Sequence, residues 1–212
     1  DRLVEIFNAC WPMYAAMPAV LKDAIERSYQ KVGWDLRNSE SEKGVFPTFF
    51  DLLDILPGVI EESHYSKDTQ SDYVGALCTR VKSLTNGIYG SVFCAEDALS
   101  DAELFDCNVV VDLSRVGSME TKSLLMGILV MKLQEYRMCG SEMNSRLRHV
   151  TVLEEAHNLL RKTSAEQSQE GANLQGKSVE MLANAIAEMR TYGEGFIIAD
   201  QAPGLLDMSV IR

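Results

Sequence analysis

The stretch HVTVLEEAH, residues 149–157, decides the fold that the sequence predicts. It begins with β-branched residues, which favour a strand, and it ends in two adjacent acids, Glu154 and Glu155. Two similar short runs lie on either side of it, CNVVVDLS at 107–114 and GFIIADQAP at 195–203. Short apolar runs of this kind are typical of strands that are buried within a sheet.

The segments between these three runs carry apolar residues at helical spacing. One stripe consists of Leu124, Leu125, Ile128, Leu129 and Leu133, and the other of Val179, Leu182, Ala183, Ile186 and Met189. A polar stretch, 161–177, precedes the second stripe and reads as a loop. The order strand, helix, strand, helix, strand is that of an α/β protein with a parallel sheet and flanking helices.

The first hundred residues instead show mostly helical patterns. The pattern predicts one helix from Trp11 to Val32 and a polar loop over 33–44. It predicts a further helix that begins near Pro47 and ends at Pro57. We therefore divide the 212 residues into a helical subdomain, 1–105, and an α/β part, 106–212.

The composition excludes several classes of protein. A formal net charge of −11 argues against a general nucleic-acid coat, which needs a basic face. The five cysteines contain no C-x-x-C pair, so we expect no zinc site and reduced thiols in the cytoplasm. No apolar run is long enough to span a bilayer. The chain begins with Asp1 and ends in MSVIR, so we expect it to be part of a longer protein.

Polar side chains follow the second and third runs at the point where each predicted strand ends. In parallel sheets ligands gather at this carboxyl edge. Glu154 and Glu155 repel each other there unless a cation such as Mg²⁺ is near, in which case one acid holds the metal and the other aims a water at a phosphate. The alternative is a solvated helix start, where Glu155 complements the helix dipole.

Three further residues have a functional and a structural interpretation. Gln201 follows the third run and either binds a water or phosphate or caps a loop. Arg190 either complements the end of the preceding helix or acts as an arginine finger toward a neighbouring subunit. Asp112 either contacts the metal's water shell or, more commonly for such a position, caps the next helix. His157 has no matching partner for a transition-metal site.

Several ordered motifs together resemble a known family. They are VVVDLSRVGSMETKSLL, TVLEEAHNLL, IAEMRTYGEGFIIADQAP and LLDMSVIR, with GWDL and FPTFFDLL in the helical part. This set is similar to the C-terminal half of HerA-like and VirB4-like ATPases, in the FtsK–HerA branch of P-loop motors. The resemblance covers nearly the whole chain. It implies part of a RecA-like P-loop NTPase core together with an N-terminal helical insertion.

The resemblance also implies roles for individual residues. Glu154 and Glu155 are similar to the Walker B acids, with Glu154 in the magnesium shell and Glu155 polarising the attacking water. Gln201 resembles the sensor of the γ-phosphate, and Arg190 resembles the arginine finger of a ring. The first Walker B acid of the family is usually Asp, and the longer side chain of Glu154 favours contact with the metal through water.

For the whole protein, the resemblance implies an ATP- and Mg²⁺-dependent motor. Such motors are typically hexameric rings that move or process DNA and serve conjugation, secretion or defence, with a nuclease or secretion machinery as a possible partner. The family's Walker A segment would precede Asp1, so we expect the isolated chain to be inactive. The alternative is a non-catalytic interaction module that retains the shape of this fold.

One motif match stands apart from this set. GANLQGKS, 171–178, fits the phosphate-loop template G-x-x-x-x-G-K-[ST]. A phosphate loop follows a buried strand, whereas the residues before this match are polar throughout. We predict that the match is accidental and that Lys177 and Ser178 belong to a solvated loop and a helix start rather than to a nucleotide site.

Overall fold

The structure is a computed structural model, and it describes residues 2–11, 13–95, 98–140, 142–162 and 169–210, with only the backbone of 169–174. The helices are α1 (Arg2–Cys10), α2 (Met17–Lys31), α3 (Phe49–Glu62), α4 (Lys67–Tyr73), α5 (Thr79–Thr85), α6 (Gly87–Phe93), α7 (Asp101–Phe105), α8 (Met119–Gly140) and α9 (Gln169–Met189). The strands are β1 (Trp34–Asp35), β2 (Glu40–Ser41), β3 (His149–Glu154) and β4 (Glu194–Ala199).

The chain divides into two compact units. One consists of Asp1–Met13 together with Leu99–Arg212, and the other is Tyr14–Ala98. The predicted helical subdomain, 1–105, includes residues that the structure assigns to the first unit. Among them is α1, which packs against α8 and α9 of that unit. The division of function between 1–105 and 106–212 stays a prediction.

The first unit contains a parallel pair of strands. β3 and β4 run side by side with His149 opposite Glu194 and Glu154 opposite Ala199. The connection between them contains α9, as a parallel pair requires. The predicted parallel arrangement of these two runs is confirmed, and the fold is a mixed helical and sheet fold.

Three helices of this unit pack against one another, and one of them, α9, also contacts β4. α1 contacts both α8 and α9, and its Ile6 is fully buried. The close approach depends on Gly127 of α8, because a Cβ atom there would lie 2.6 Å from Cγ2 of Ile6. A residue with a side chain at this position would push α1 away from its contact.

The unit Tyr14–Ala98 is helical, as the sequence pattern predicts. Its core contains the fully buried side chains of Leu21, Leu56, Ile60 and Leu77. The prediction that Pro57 ends a helix is wrong, since α3 continues through Pro57 to Glu62. The buried side chains of Val59 and Ile60 lie beyond the proline, and their packing stabilises the helix across it.

The prediction of a strand at 107–114 is also wrong for the described structure. Residues 108–113 are in irregular conformation, and Val110 is 93% exposed. A strand needs backbone partners as well as a β-branched sequence. Within the described residues no strand pairs with this segment.

The prediction of a loop over the polar stretch 161–177 also needs correction. Residues 163–168 lie outside the described structure, but α9 already begins at Gln169, so the second part of the predicted loop is helical. None of the helices in the described ranges is long and apolar enough to cross a membrane.

Candidate active site

The acids at the end of β3 occupy the edge that the sequence predicts for them. Glu154 is the last residue of the strand, and its side chain is exposed. Glu155 follows with φ 50° and ψ 43°, a left-handed conformation that is uncommon outside glycine. A single 3₁₀ turn, Ala156–Asn158, comes next. The left-handed conformation of Glu155 therefore ends the strand directly after Glu154.

Two side chains contact the carboxylate of Glu155. Nζ of Lys122, near the start of α8, lies 3.4 Å from Oε2 of Glu155. Nδ2 of Asn158 donates to the same oxygen at 3.2 Å. The side chain of Lys122 is 17% exposed and that of Glu155 is 57% exposed. Glu155 is thus held by two donors at the surface of the protein.

The structure places Gln201 at the same edge. Gln201 lies two residues beyond Ala199, which pairs with Glu154 at the end of the ladder. Its side chain is exposed. Because the strands are parallel and adjacent, Glu154, Glu155 and Gln201 all emerge where the two strands end.

A buried acid connects the two strand ends. Oδ2 of Asp200 accepts from the backbone N–H of His157 at 2.9 Å and lies 2.8 Å from Nδ1 of the same histidine. Its Oδ1 accepts from the N–H of Ala202 at 2.7 Å. The hydrogen bond from Ala202, together with those from His157, lowers the pKa of Asp200 below its ordinary value of 3.8. The carboxylate is therefore ionised at neutral pH.

Arg190 does not join this group. It begins the 3₁₀ turn Arg190–Tyr192, just before the first residue of β4, and its side chain is exposed. β4 has six residues, so a span of about 17 Å at 3.3 Å per residue separates the two ends of the strand. Arg190 borders a surface cavity of about 330 Å³ at this opposite edge, beside the loop that contains Asn144.

The GANLQGKS match lies inside α9 rather than in a loop. Lys177 is exposed, but Ser178 is fully buried and its hydroxyl donates to Oε2 of Glu5 at 2.7 Å. The prediction that Lys177 and Ser178 belong to a solvated loop and a helix start is therefore wrong, because both lie inside α9, which begins at Gln169. In a helix the amides are directed to carbonyls four residues earlier, so they cannot surround a phosphate. This conformation supports the view that the match is accidental.

Asp112 has a local structural role. Its Oδ1 accepts from the backbone N–H of Ser114 at 2.8 Å, and the hydrogen bonds from Ser114 lower the pKa of the Asp112 carboxyl. The residue thus closes a local turn, whereas α8 begins only at Met119, so the interpretation of Asp112 as the cap of the next helix is wrong.

The carboxylates at this edge fit Mg²⁺ only as part of a site that waters and the phosphates of a substrate complete. The described residues contain no cluster of three or more acids, histidines or cysteines that could hold a metal by itself. Mg²⁺ in nucleotide sites, however, is commonly bound through one or two carboxylates, waters and the substrate's phosphates. Glu154 is an exposed carboxylate with no ion-pair partner within the described residues, so it suits contact through water.

Comparison with known proteins identifies the fold. The sequence matches no protein-family model, and no curated protein matches it. A solved structure of VirB4 of Thermoanaerobacter pseudethanolicus is similar, with a TM-score of 0.61 and 18% sequence identity. The chain has a VirB4-like fold. The likeness covers 98% of this chain and 50% of the VirB4 chain, so this chain spans about half the length of the protein it matches.

Sequence reasoning missed three residues at the carboxyl edge of β3 and β4. Lys122 lies within a helical pattern and Asn158 follows the acidic run, and neither forms a motif that would single it out. Asp200 had one signal, its position directly before Gln201. Their importance depends on contacts between segments that only the folded chain brings together.

Proposed function

We propose that this chain is the Walker B-to-sensor part of an ATP-hydrolysing P-loop motor of the HerA/VirB4 type. In this proposal 106–212 belongs to a RecA-like core and 1–105 is the helical insertion. The observation that supports it most directly is the convergence of Glu154, Glu155 and Gln201 at the carboxyl edge of two adjacent parallel strands.

The three side chains suit different tasks in phosphoryl transfer. Glu154 holds the water shell of Mg²⁺, and Glu155 orients and polarises the attacking water. The neutral amide of Gln201 contacts the γ-phosphate or the water without adding negative charge. When bound, Mg²⁺ neutralises charge on the phosphates.

The phosphate cradle is the part that the described residues do not supply. Within those residues the one match to the phosphate-loop template is helical in α9. From the family resemblance we propose that the longer protein supplies a Walker A loop and that the isolated chain does not hydrolyse ATP. The longer protein binds ATP through that loop and completes the site with the edge described above.

The position of Arg190 supports an assembly in which neighbouring subunits share a site. It is exposed and lies about 17 Å along β4 from the edge that carries Glu155. An arginine finger at this place has to serve the site of the next subunit. A homo-oligomeric ring, a hexamer by family resemblance, meets this requirement because its interfaces are heterologous.

We further propose that the ring moves or processes DNA in conjugation, secretion or defence, with a nuclease or secretion machinery as partner. The five cysteines, Cys10, Cys78, Cys94, Cys107 and Cys139, are all unbonded, which supports a reducing compartment such as the cytoplasm.

The test of catalysis uses the full-length protein and compares Glu155→Gln with the unchanged enzyme. We expect the ATPase rate to fall at least about 100-fold, because the glutamine cannot accept a proton or polarise water comparably. Glu135→Gln, which alters an exposed acid of α8, is the matched control and should retain the rate. Equal hydrolysis with Glu155→Gln would show that Glu155 is not the catalytic acid, whereas a full-length protein without any ATPase activity would favour the non-catalytic interaction module.

The test of subunit sharing mixes two inactive variants, Glu155→Gln and Arg190→Ala. If Arg190 acts on the neighbouring site, an Arg190→Ala subunit beside a Glu155→Gln subunit still forms one intact interface. Equal random mixing should then restore roughly a quarter of the activity, since one neighbour arrangement in four is intact. Mixed rings without any activity would show that Arg190 serves its own subunit or only stabilises the fold.

A further inference from the structure

Asp200 makes the hydrogen bonds that join the two strand ends beyond the sheet. Its side chain is 2% exposed, and it takes two contacts from His157 and one from Ala202. A buried carboxylate is costly unless its oxygens are satisfied, and here both oxygens have donors. The geometry is therefore a specific arrangement rather than a chance surface contact.

The sequence neighbours of His157 and Asp200 indicate the role of their hydrogen bonds. His157 lies two residues after Glu155, and Asp200 lies directly before Gln201. The backbone ladder between the strands ends at Glu154 and Ala199. In the described part of the chain, the hydrogen bonds from His157 to Asp200 are those that connect 155–159 with 200–204.

Other contacts hold the flanking residues but do not replace this link. The two segments meet again only farther on, where the N–H of Lys162 donates to the carbonyl of Leu205 and that of Asp207 donates to the carbonyl of Leu160. Glu155 itself has a left-handed backbone with an exposed side chain, so its direction depends on what fixes the turn that follows it.

We propose that His157 and Asp200 are positioning residues that fix the separation of Glu155 and Gln201, acting through Nδ1 of the histidine. This inference rests on the proposed ATPase function and adds two residues to its site. A displacement of about 1 Å between groups that must address the same water and phosphate lowers the rate of reaction by around 100-fold without a comparable loss of binding. The Nε2 atom of His157 has no part in this role.

Two substitutions of His157 distinguish the role of Nδ1 from that of Nε2. Asparagine carries a side-chain N–H close to the place of Nδ1, whereas glutamine carries one close to the place of Nε2. In the full-length protein we expect His157→Asn to retain kcat within about threefold and His157→Gln to lower kcat roughly 10- to 100-fold, with KM and the Kd for an ATP analogue unchanged. The opposite order, with glutamine active and asparagine inactive, would overturn the inference.

A second measurement tests the link without any catalysis. In Asp200→Ala the N–H of His157 loses its acceptor, so we expect its amide hydrogen exchange to become roughly tenfold faster. In Glu155→Gln the exchange at His157 should be unchanged. Unaltered exchange in Asp200→Ala would show that the link does not hold the turn.

The two measurements also distinguish this inference from the proposed function. Loss of ATPase activity in Glu155→Gln supports the function irrespective of His157. Faster exchange in Asp200→Ala combined with an unchanged kcat would overturn the positioning role alone. An ATPase rate that does not change in Glu155→Gln would remove the catalytic role of Glu155, while the exchange result still decides whether the two strand ends are linked.

Discussion

Nζ of Lys122 lies 3.4 Å from Oε2 of Glu155, so the acid proposed to polarise the attacking water has a cationic neighbour from another helix. The distance is long for a direct hydrogen bond, and more than half of the Glu155 side chain is exposed. Water and salt screen such a pair, but the side chain of Lys122 is only 17% exposed, which reduces this screening on its side.

A double-mutant cycle measures this pair. We expect Lys122→Met and Glu155→Gln to show a coupling of about 0.5–1 kcal/mol in the free energy of unfolding, which 1 M salt reduces. Lys122→Met combined with Glu154→Gln is the matched control, because Glu154 has no ion pair with Lys122, and its effects should add. Equal coupling for both acids would contradict a specific contact with Glu155.

A second prediction concerns the buried ion pair between Arg137 of α8 and Glu194, the first residue of β4. Glu194 is fully buried, and its carboxylate accepts from Nε of Arg137 at 2.9 Å and from Thr151 at 2.7 Å. Arg137→Met leaves this buried charge without its main partner, so we expect unfolding to become easier by about 3–5 kcal/mol. Chemical denaturation measures the change.

Another ion pair of the same helix serves as the control. Lys132 and Asp101 are 3.1 Å apart, but both side chains are partly exposed. Lys132→Met should therefore cost less than about 1 kcal/mol. If the two methionine variants were equally stable, the burial of Glu194 would not be what makes the first pair important.

The sequence predicts part of this fold for clear reasons. The β-branched runs that become β3 and β4 are separated by a helical pattern, and such a connection is long enough for parallel pairing. The shared edge of Glu155 and Gln201 then follows from topology alone.

The misread segments depended on tertiary partners. The run at 107–114 has the composition of a strand, but a strand also needs a neighbour to pair with. The polar start of α9 looks like a loop, yet its Gln175 and Ser178 bond to α1, which stabilises a helix there. The pair His157 and Asp200 is 43 residues apart in sequence, so no local pattern predicts it.

The GANLQGKS match leads to a third prediction. Lys177→Ala should leave the nucleotide affinity of the full-length protein and the stability of the chain nearly unchanged, because Lys177 is exposed on α9. Ser178→Ala should cost about 1–2 kcal/mol of stability, since it removes the buried hydroxyl that donates to Glu5. A collapse of ATP binding in Lys177→Ala, measured by titration with an ATP analogue, would show that the match is a true phosphate loop.

The lowered pKa of Asp200 predicts an acid-dependent loss of stability. The hydrogen bonds from Ala202 and His157 hold the pKa of the folded carboxyl below 3.8, the ordinary value that the unfolded chain keeps. A group with a depressed folded pKa contributes stability above its unfolded pKa and loses that contribution as the pH falls through the folded pKa.

Asp200→Asn should therefore be clearly less stable than the unchanged chain at pH 7, and the difference should shrink below about pH 3. Urea midpoints at the two pH values provide the measurement, with the exposed Asp72→Asn as control. A difference between Asp200→Asn and the unchanged chain that stays constant with pH would mean that the ionised carboxylate is not what stabilises the two strand ends.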